Sequence, residues 1–294
     1  MQVETTIAGA RRERPPRSAA PTTIHGEASR PAPLDAVGQG LWRVAAGALT
    51  LLLAVPVLAL VWRAATGRDG WDAQTWATLR QALSLSLGTS AVAMAVIVAL
   101  GTPLAWTLAR RPFPGRRLVD AMVDLPVVLP PAVAGIALLM AFGRYGVVGR
   151  WLDAAGLSLG FTTAAVVLAQ IFVAAPFYVR AAAGGFARIE RDVEEAAADL
   201  GAPPGRVFWT ITVRLALPSL LAGMVLAWAR ALGEFGATIM FAGNFPGITQ
   251  TMPLAIYATF GAGDLPTALL LSLALLIVSL AVLGGARRWA TTRG

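Results

Sequence analysis

The chain has 294 residues, 56% of them hydrophobic and only 14% charged, with a mean hydropathy of +0.66. Because soluble domains carry about 25% charged residues, this composition predicts an integral membrane protein. The absence of cysteine excludes disulfides and thiol chemistry, and the one histidine, His25, lies in a polar stretch, so we expect no metal site. The net charge of +8 comes from arginines that flank apolar segments, which indicates membrane topology and not a nucleic-acid partner.

The N-terminal residues 1–38 are rich in Pro, Ala, Ser, Thr and Arg and show no apolar periodicity. We expect them to form a disordered, basic cytoplasmic tail. The remainder, residues 39–294, is predicted to be one transmembrane domain. No small-residue cleavage site follows the first apolar run, so Leu41–Trp62 is predicted to be a retained span and not a signal peptide.

Apolar segments of the length needed to cross a bilayer, about 20 residues, recur along the chain. Six are predicted: Leu41–Trp62, Gln81–Ala109, Leu125–Phe142, Thr162–Val179, Leu217–Phe241 and Leu265–Ala286. They predict an all-α polytopic membrane protein with six transmembrane helices.

The distribution of arginine predicts the orientation of these helices. Arginines are concentrated before the first span, between the second and third, between the fourth and fifth, and after the sixth, whereas the alternate loops have fewer. Since basic loops lie on the cytoplasmic side, both termini are predicted to be cytoplasmic.

Helix-breaking residues interrupt the third span, namely Pro126, Pro130 and Pro131. They remove helical hydrogen bonds, which a membrane tolerates where protein or a cavity satisfies the freed carbonyls. A kinked, pore-facing helix and a simple bend are both consistent with this pattern. At the start of the span, Asp120 and Asp124 are predicted to pair with Arg116 or Arg117.

The longest connection is a predicted cytoplasmic segment at about 180–216. It contains an acidic helix with possible i,i+4 pairs, Arg188–Asp192 and Arg191–Glu195, and an apolar stripe of Val193, Ala197 and Leu200. Gly201 is predicted to end this helix, and Pro203 and Pro204 to start a second short one. The acidic face disfavours binding to anionic headgroups, although a surface-bound helix stays an alternative; a protein partner fits better.

This segment resembles the EAA loop of ABC-importer permeases. The resemblance rests on Glu195, Ala196 and Ala197, followed after three residues by Gly201, and later by Ile211. The Leu-Pro that ends the family pattern is missing after Ile211, although Leu217-Pro218 follows. The resemblance implies a coupling helix that docks on a separate ATPase, formed by these candidate residues: Glu194, Glu195, Ala196, Ala197, Leu200 and Gly201.

The fifth span contains two ionisable residues, Arg230 and Glu234, where a charge costs about 2.5–3.5 kcal/mol. Their spacing of four predicts a pair on one helix face. A mutually neutralising structural pair and an arginine that lends positive potential to an anion path are both possible.

The stretch from Ala229 to Thr238, with Phe241–Gly247 and Thr249–Pro253, resembles the molybdate/tungstate permease family, which has sulfate-importer relatives. Leu125–Pro131, with Gly135, and Phe142–Arg144 resemble that family's third span. Candidates to line the translocation path or gate are Arg230, Gly233, Glu234, Phe235, Thr238, Asn244, Thr249 and Thr251. Ordinary turn and capping roles are the alternative for the threonines and Asn244.

The resemblance implies an ABC-importer (type I) permease of the bacterial inner membrane. It implies that two permease copies, two cytoplasmic ATPase subunits and an extracytoplasmic oxyanion-binding protein work together. Because the chain has no lysine, it has no P-loop and is not itself the ATPase. We therefore expect that it is not an enzyme and holds no cofactor, and that ATP and Mg bind to the separate ATPase subunit. The expected cargo is molybdate or tungstate; alternatives are a sulfate/thiosulfate permease or a secondary anion transporter.

Overall fold

The computed structural model describes residues 36–67 and 71–291, with side chains in 40–67 and 71–285. The predicted tail, residues 1–38, lies almost wholly outside the described residues. In the part that is described, the regular elements are all helical: α1 Ala36–Thr66, α2 Ala73–Arg110, α3 Arg116–Val128, α4 Pro131–Phe142, α5 Gly149–Ala154, α6 Thr163–Ala187, α7 Arg191–Asp199, α8 Pro204–Val207, a π-helical turn Phe208–Thr212, α9 Val213–Leu232, α10 Gly236–Ala242, α11 Met252–Gly261 and α12 Leu265–Thr291. The chain divides into two compact units between Ala54 and Val55.

The helices confirm most of the predicted spans. Among the described residues, five are long and apolar enough to cross a membrane: Gly40–Thr66, Ala73–Arg110, Thr163–Ala187, Pro204–Leu232 and Leu265–Gly285. They correspond to predicted spans one, two, four, five and six. The second is longer than predicted because Asp72 caps it, with the Asp72 carboxylate accepting a 2.7 Å hydrogen bond from Thr75 N.

The predicted third span is not one helix. It is divided into α3 and α4, with the chain extended at Leu129 and Pro130, where ψ is 132° and 137°. Pro131 takes the first position of α4, where its missing N–H costs nothing. Of the three prolines in the predicted third span, only Pro126 lies in the interior of a helix. The prolines therefore do not kink or bend one continuous helix, because the Pro130-Pro131 pair ends one helix and starts another. That this segment faces a pore stays a prediction.

The fourth and fifth spans differ from their predicted bounds. The fourth continues to Ala187, so Arg180 lies inside α6 and not in the cytoplasmic segment. Pro204 starts a helix as predicted, but that helix is not short, because it runs through the π-helical turn into α9. In the turn, Val213 N–H donates to Phe208 O, five residues back. The fifth span ends at Leu232, well before the predicted Phe241.

The core of the second unit is centred on α6, which packs against α2 and α9. Small residues allow the close approach: a Cβ at Gly101 would meet the Tyr178 ring at 3.0 Å, and one at Gly223 would lie 2.7 Å from Ala181 Cβ. Beyond the break in the fifth span, α10 packs on α4 and α6, with Ala134, Ala165 and Phe241 fully buried between them. This arrangement holds α7 and the α9–α10 break, which carry the predicted site residues, on a packed scaffold.

Candidate coupling helix and translocation path

The acidic helix α7 ends where the sequence predicts. Gly201 has φ +84°, a left-handed conformation that residues with a Cβ adopt at a cost. Gly201 N donates to Ala198 O at 2.8 Å and Ala202 N to Ala197 O at 3.1 Å. These two bonds define a Schellman motif with glycine at the C′ position. The chain therefore reverses sharply after α7 and enters α8.

The inner side of α7 is anchored by Glu194. Thr212, in the π-helical turn, donates a 2.6 Å hydrogen bond from Oγ1 to Glu194 Oε1. Arg110, the last residue of α2, has Nη2 3.5 Å from the same oxygen. Glu194 thus ties α7 to both α2 and the start of α9. This internal contact distinguishes Glu194 from its predicted neighbours on the docking face.

The predicted ion pairs on α7 are absent. In the described part of the chain, neither Arg188–Asp192 nor Arg191–Glu195 comes within 4.0 Å. Arg188 follows the end of α6 and donates from Nη2 to Ser219 Oγ at 2.8 Å. The helical spacing does not apply to Arg188, because α7 begins only at Arg191. Arg191 and Glu195 are both on α7, and both side chains are exposed.

The outer side of α7 is exposed. Glu195 and Ala196 are exposed, and Leu200 is 90% exposed. Of the predicted apolar stripe, only Ala197 is partly buried, and Val193 is 42% exposed. The stripe therefore does not pack into this chain. An exposed leucine beside carboxylates is a surface that suits a protein partner.

A cluster that the sequence interpretation missed joins α3 to α6. Arg180 donates from Nε to Asp124 Oδ1 at 2.6 Å and from Nη2 to Asp124 Oδ2 at 2.7 Å. It also donates from Nη1 to Asp120 Oδ1 and from Nη2 to Asp120 O, both at 2.8 Å. The predicted partner Arg116 lies 3.8 Å from Asp120, a weak contact, and Arg117 forms no ion pair among the described residues. The sequence did carry a signal for this cluster. The apolar pattern continues past Arg180 to Ala187, which indicates that Arg180 belongs to the fourth helix.

The pair predicted in the fifth span forms, but with a different geometry. Arg230 Nη1 lies 2.7 Å from Glu234 Oε2. Glu234 is not on the helix, because α9 ends at Leu232, and it is only 2% exposed. Its other oxygen, Oε1, accepts a 2.7 Å hydrogen bond from Ala237 N at the start of α10. The carboxylate therefore spans the break between α9 and α10, which is a structural role.

The remaining path candidates lie around α10 and the loop after it. The Phe235 ring contacts the Tyr257 ring in a tilted arrangement, with centroids 5.1 Å apart. Gly233 is the exposed C-cap of α9. The buried Thr249 has a structural contact: its Oγ1 accepts a 2.9 Å hydrogen bond from Phe245 N and so closes a turn. Unsatisfied buried oxygens remain on Thr238, Asn244 and Thr251. Buried polar atoms without partners are unusual and need an explanation, which a polar path would supply.

The predicted site residues form two groups on different elements. The coupling candidates lie on α7, and the path candidates lie on the α9–α10 break and the loop before α11. Among residues 36–67 and 71–291, no group of three His, Cys, Asp or Glu side chains is arranged to hold a metal ion. The arrangement offers an exposed acidic helix, α7, and a broken fifth span with buried polar atoms.

Comparison with known proteins gives the class and the family. The fold resembles that of a bacterial alginate ABC transporter, solved in complex with an alginate pentasaccharide-bound periplasmic protein: the TM-score is 0.64 at 16% identity, covering 83% of this chain and 92% of that one. The fold is thus that of the alginate ABC transporter chain, and the five long apolar helices among the described residues are those of a multi-pass membrane protein. Residues 97–289 match the family of binding-protein-dependent transport system inner membrane components, and the chain belongs to that family.

Relatives within this family are more similar in sequence. The molybdenum transport system permease protein ModB of Mycobacterium tuberculosis is 47% identical over 239 residues, which cover 81% of this chain and 90% of the relative. A probable sulfate transport system permease protein, cysT, of Chlorokybus atmophyticus is 33% identical over 246 residues, covering 83% of this chain and 86% of the relative. The resemblance inferred from the sequence motifs is confirmed.

Proposed function

We propose that the chain is the permease subunit of an ATP-driven, binding-protein-dependent importer of a tetrahedral oxyanion, with molybdate or tungstate as its cargo. The observation that carries the cargo is the 47% identity to a molybdenum permease over 90% of that protein's length. The lower identity of 33% to a sulfate permease favours molybdate over sulfate. Both cargoes are tetrahedral dianions, so a direct test is needed.

The proposed assembly is a type I importer in the bacterial inner membrane. Two copies of this chain enclose the path, two cytoplasmic ATPase subunits bind ATP and Mg, and an extracytoplasmic protein delivers the anion. The chain itself catalyses no reaction and holds no cofactor. It crosses the membrane six times, with both termini cytoplasmic; α3 and α4, of 13 and 12 residues, make the third crossing in tandem. Residues 39–294 form the permease domain.

The exposed side of α7 supports the proposed coupling. Glu195, Ala196 and Leu200 would enter a groove of the ATPase, while Glu194 transmits the movement of α7 to α2 and α9 through its contacts with Arg110 and Thr212. ATP closes the ATPases, the two α7 helices follow, and the path turns from inward-facing to outward-facing. The binding protein then releases its anion, and hydrolysis resets the assembly.

For the translocation path, we propose the polar groups around α10. Arg230 is 29% exposed while its partner Glu234 is buried, so the guanidinium is the more accessible member of the pair. Because Glu234 neutralises Arg230 at 2.7 Å, the pair lends little net charge and does not form a tight anion site. That weakness is what conduction requires, because a path that binds its cargo strongly releases it slowly.

The test is the ATPase activity of this chain reconstituted in vesicles with its ATPase subunits. The activity is titrated with binding protein loaded with molybdate, tungstate or sulfate. We expect stimulation by molybdate and tungstate and none by sulfate. The control is Gly201→Arg, which forces a long side chain into a left-handed backbone position on the docking helix and is expected to abolish stimulation.

Each other outcome removes part of the proposal. Stimulation by sulfate alone would keep the ATP-driven importer and overturn its cargo. If no complex with the ATPase forms, or if Gly201→Arg changes nothing, the coupling role of α7 is wrong and a secondary anion transporter becomes the better explanation. Such a transporter would move the anion in vesicles that contain this chain alone.

A further inference from the structure

A cavity lies between α7, α8 and the end of α2. Its volume is about 350 Å³, and its walls come from three stretches of chain: Trp106, Arg110 and Arg111 at the end of α2; Arg191, Glu194, Glu195 and Ala198 on α7; and Pro204, Val207, Phe208 and Thr212. Of the α7 residues that we assign to the ATPase, Glu195 also lines this cavity, whereas Ala196 and Leu200 do not. The cavity therefore lies on the inner side of the coupling helix.

One wall of the cavity carries an unsatisfied buried donor. The Arg110 side chain is only 10% exposed, and its Nε has no hydrogen-bond partner. Its Nη2 already donates to Ile189 O at 2.8 Å and approaches Glu194 at 3.5 Å. A buried guanidinium N–H without an acceptor is costly. The Nε atom itself is closed off from the cavity, so Arg110 contributes positive charge to the wall and not a free donor.

The other two arginines lack a carboxylate partner. Within the described residues, neither Arg111 nor Arg191 forms an ion pair. Arg111 is stacked over the Trp106 ring, with its Cζ 4.9 Å from the centroid, which holds the guanidinium at the rim. Glu194 is engaged by Thr212 at 2.6 Å. The cavity thus presents three guanidinium groups and one uncommitted carboxylate, Glu195.

We propose that this cavity binds a phosphate-bearing anion, supplied by the headgroup of an anionic phospholipid. Guanidinium groups bind phosphate oxygens by charge-assisted hydrogen bonds. The apolar walls formed by Trp106, Val207 and Phe208 suit the glycerol and upper acyl carbons of a lipid, which a free ion lacks. The cavity adjoins Arg110, where the α2 span ends, and basic pockets at the cytoplasmic ends of spans are suited to anionic headgroups.

A bound headgroup would join two elements that move relative to each other in the proposed cycle. It would contact Arg110 and Arg111 on α2 and Arg191 on α7. The lipid would then fix the coupling helix against the membrane, so that the leaflet composition influences how α7 transmits movement. This inference rests on the placement of α2 and α7 at the cytoplasmic face, and it is independent of which anion is transported.

The test measures lipid binding by the full-length chain purified in a zwitterionic detergent. Phosphatidylglycerol, phosphatidylcholine and inorganic phosphate are titrated separately, with binding followed by native mass spectrometry and by hydrogen exchange of residues 191–212. We expect phosphatidylglycerol to bind and to slow exchange in this segment. The double variant Arg111→Gln/Arg191→Gln should weaken its binding roughly 30-fold, since each arginine near an anionic headgroup contributes about 1 kcal/mol.

A matched control is available on α5. Arg150 is exposed and stacks on Trp151, with its Cζ 5.1 Å from the ring centroid, so it reproduces the Arg111–Trp106 pair away from the cavity. Arg150→Gln should leave phosphatidylglycerol binding unchanged. The variant Arg111→Lys/Arg191→Lys should retain most of the binding, which separates loss of charge from loss of folding.

The outcomes are distinct. Protection of 191–212 by inorganic phosphate in the absence of phosphatidylglycerol would support the anion site and assign a free anion as its ligand. The proposal is overturned if neither protects the segment, or if Arg150→Gln weakens binding as much as the cavity variant does. Because no ATPase is present, failure here would leave the proposed importer function intact.

Discussion

Arg180 on α6 and Asp124 on α3, 56 residues apart in sequence, form a bidentate ion pair. The Nε···Oδ1 and Nη2···Oδ2 distances are 2.6 and 2.7 Å. Among the described helices, α3 has its principal packing neighbour in α6, and Val119 and Val123 supply the apolar part of that contact. The arginine therefore supplies the directional part of the α3–α6 contact. Bidentate geometry makes this pair stronger than an ordinary surface ion pair.

We expect Arg180→Gln and Asp124→Asn to be coupled in a double-mutant cycle. Either single change removes the charged two-point pair, and Arg180→Gln also removes the two hydrogen bonds to Asp120. The double variant should therefore lose less stability than the sum, with an interaction free energy of about 1 kcal/mol or more. The measurement is the apparent melting temperature of the purified chain. Arg116→Gln is the control, because its contact with Asp120 is 3.8 Å and should contribute little. Additive effects of Arg180 and Asp124 would contradict the pairing.

Gly201→Ala should reduce coupling without unfolding the chain. A Cβ there meets nothing within 4 Å, but φ +84° strains any residue with a Cβ by about 1–2 kcal/mol. The strain should displace the α7–α8 turn and lower the stimulation of ATPase activity by loaded binding protein. Gly201→Asn should retain more stimulation, because asparagine tolerates the left-handed conformation.

The matched control for this turn is Gly205→Ala. Gly205 lies four residues further on, in α8, also with open space around its Cβ position and with no positive φ. It should retain full stimulation. Equal losses in the two alanine variants would show that the backbone conformation of Gly201 is not what matters.

Gly135→Ala should destabilise the contact between α4 and α10. A Cβ at this position would lie 2.6 Å from Met240 Cβ and 2.7 Å from Ala237 O, and backbone cannot move away as a flexible side chain can. Overpacking of this kind costs about 1–3 kcal/mol, which should appear as a lower melting temperature. Gly184→Ala, in α6 with open space around its Cβ position, should be neutral or slightly stabilising. If Gly135→Ala leaves the melting temperature unchanged, α4 and α10 are less tightly packed than these distances indicate.

Arg230→Gln should be strongly destabilising, because Glu234 is only 2% exposed and its buried carboxylate would lose its counter-charge. Breaking a buried ion pair by removing one partner costs about 3–5 kcal/mol, and the partial exposure of Arg230 places the expected loss at the lower end. Adding Glu234→Gln should recover much of it, since a neutral amide oxygen can still accept from Ala237 N. The melting temperatures of the single and double variants measure this, and a double variant no better than Arg230→Gln would argue against the pair.

The local features of this chain were predictable because they depend on neighbours in sequence. The length of the apolar segments predicted five of the spans. Gly201 was predicted to end α7 because glycine readily adopts the left-handed conformation in which the chain reverses after a helix. The Pro130-Pro131 pair predicted a disturbance of the third span, which the structure shows to be a break between two helices. The sequence shows that such a pair interrupts a helix, and the structure shows that the interruption is complete, because Leu129 and Pro130, each followed by a proline, are extended.

Long-range partners were not predictable in the same way. Asp120 and Asp124 were predicted to pair with Arg116 or Arg117, which are near in sequence. Arg116 does lie 3.8 Å from Asp120, but the shorter contacts of both carboxylates come from Arg180 on α6. Glu194 was assigned to the docking face with its neighbours, and it turns inward because Thr212 lies within 2.6 Å. The cavity beside α7 has the same origin, since α2, α7 and α8 meet there only after folding.

The sequence by itself determined that this chain is a multi-helix membrane permease, where most of its helices run, and which family it belongs to. These properties follow from apolar length, helix stops and short motifs, all of which act within a few turns of chain. The tertiary structure decided which charges neutralise one another, how the third and fifth spans are broken, and which side of α7 is free. Those outcomes depend on distances between segments far apart in the chain, because an ion pair or a close helix crossing exists only where packing brings its two sides together.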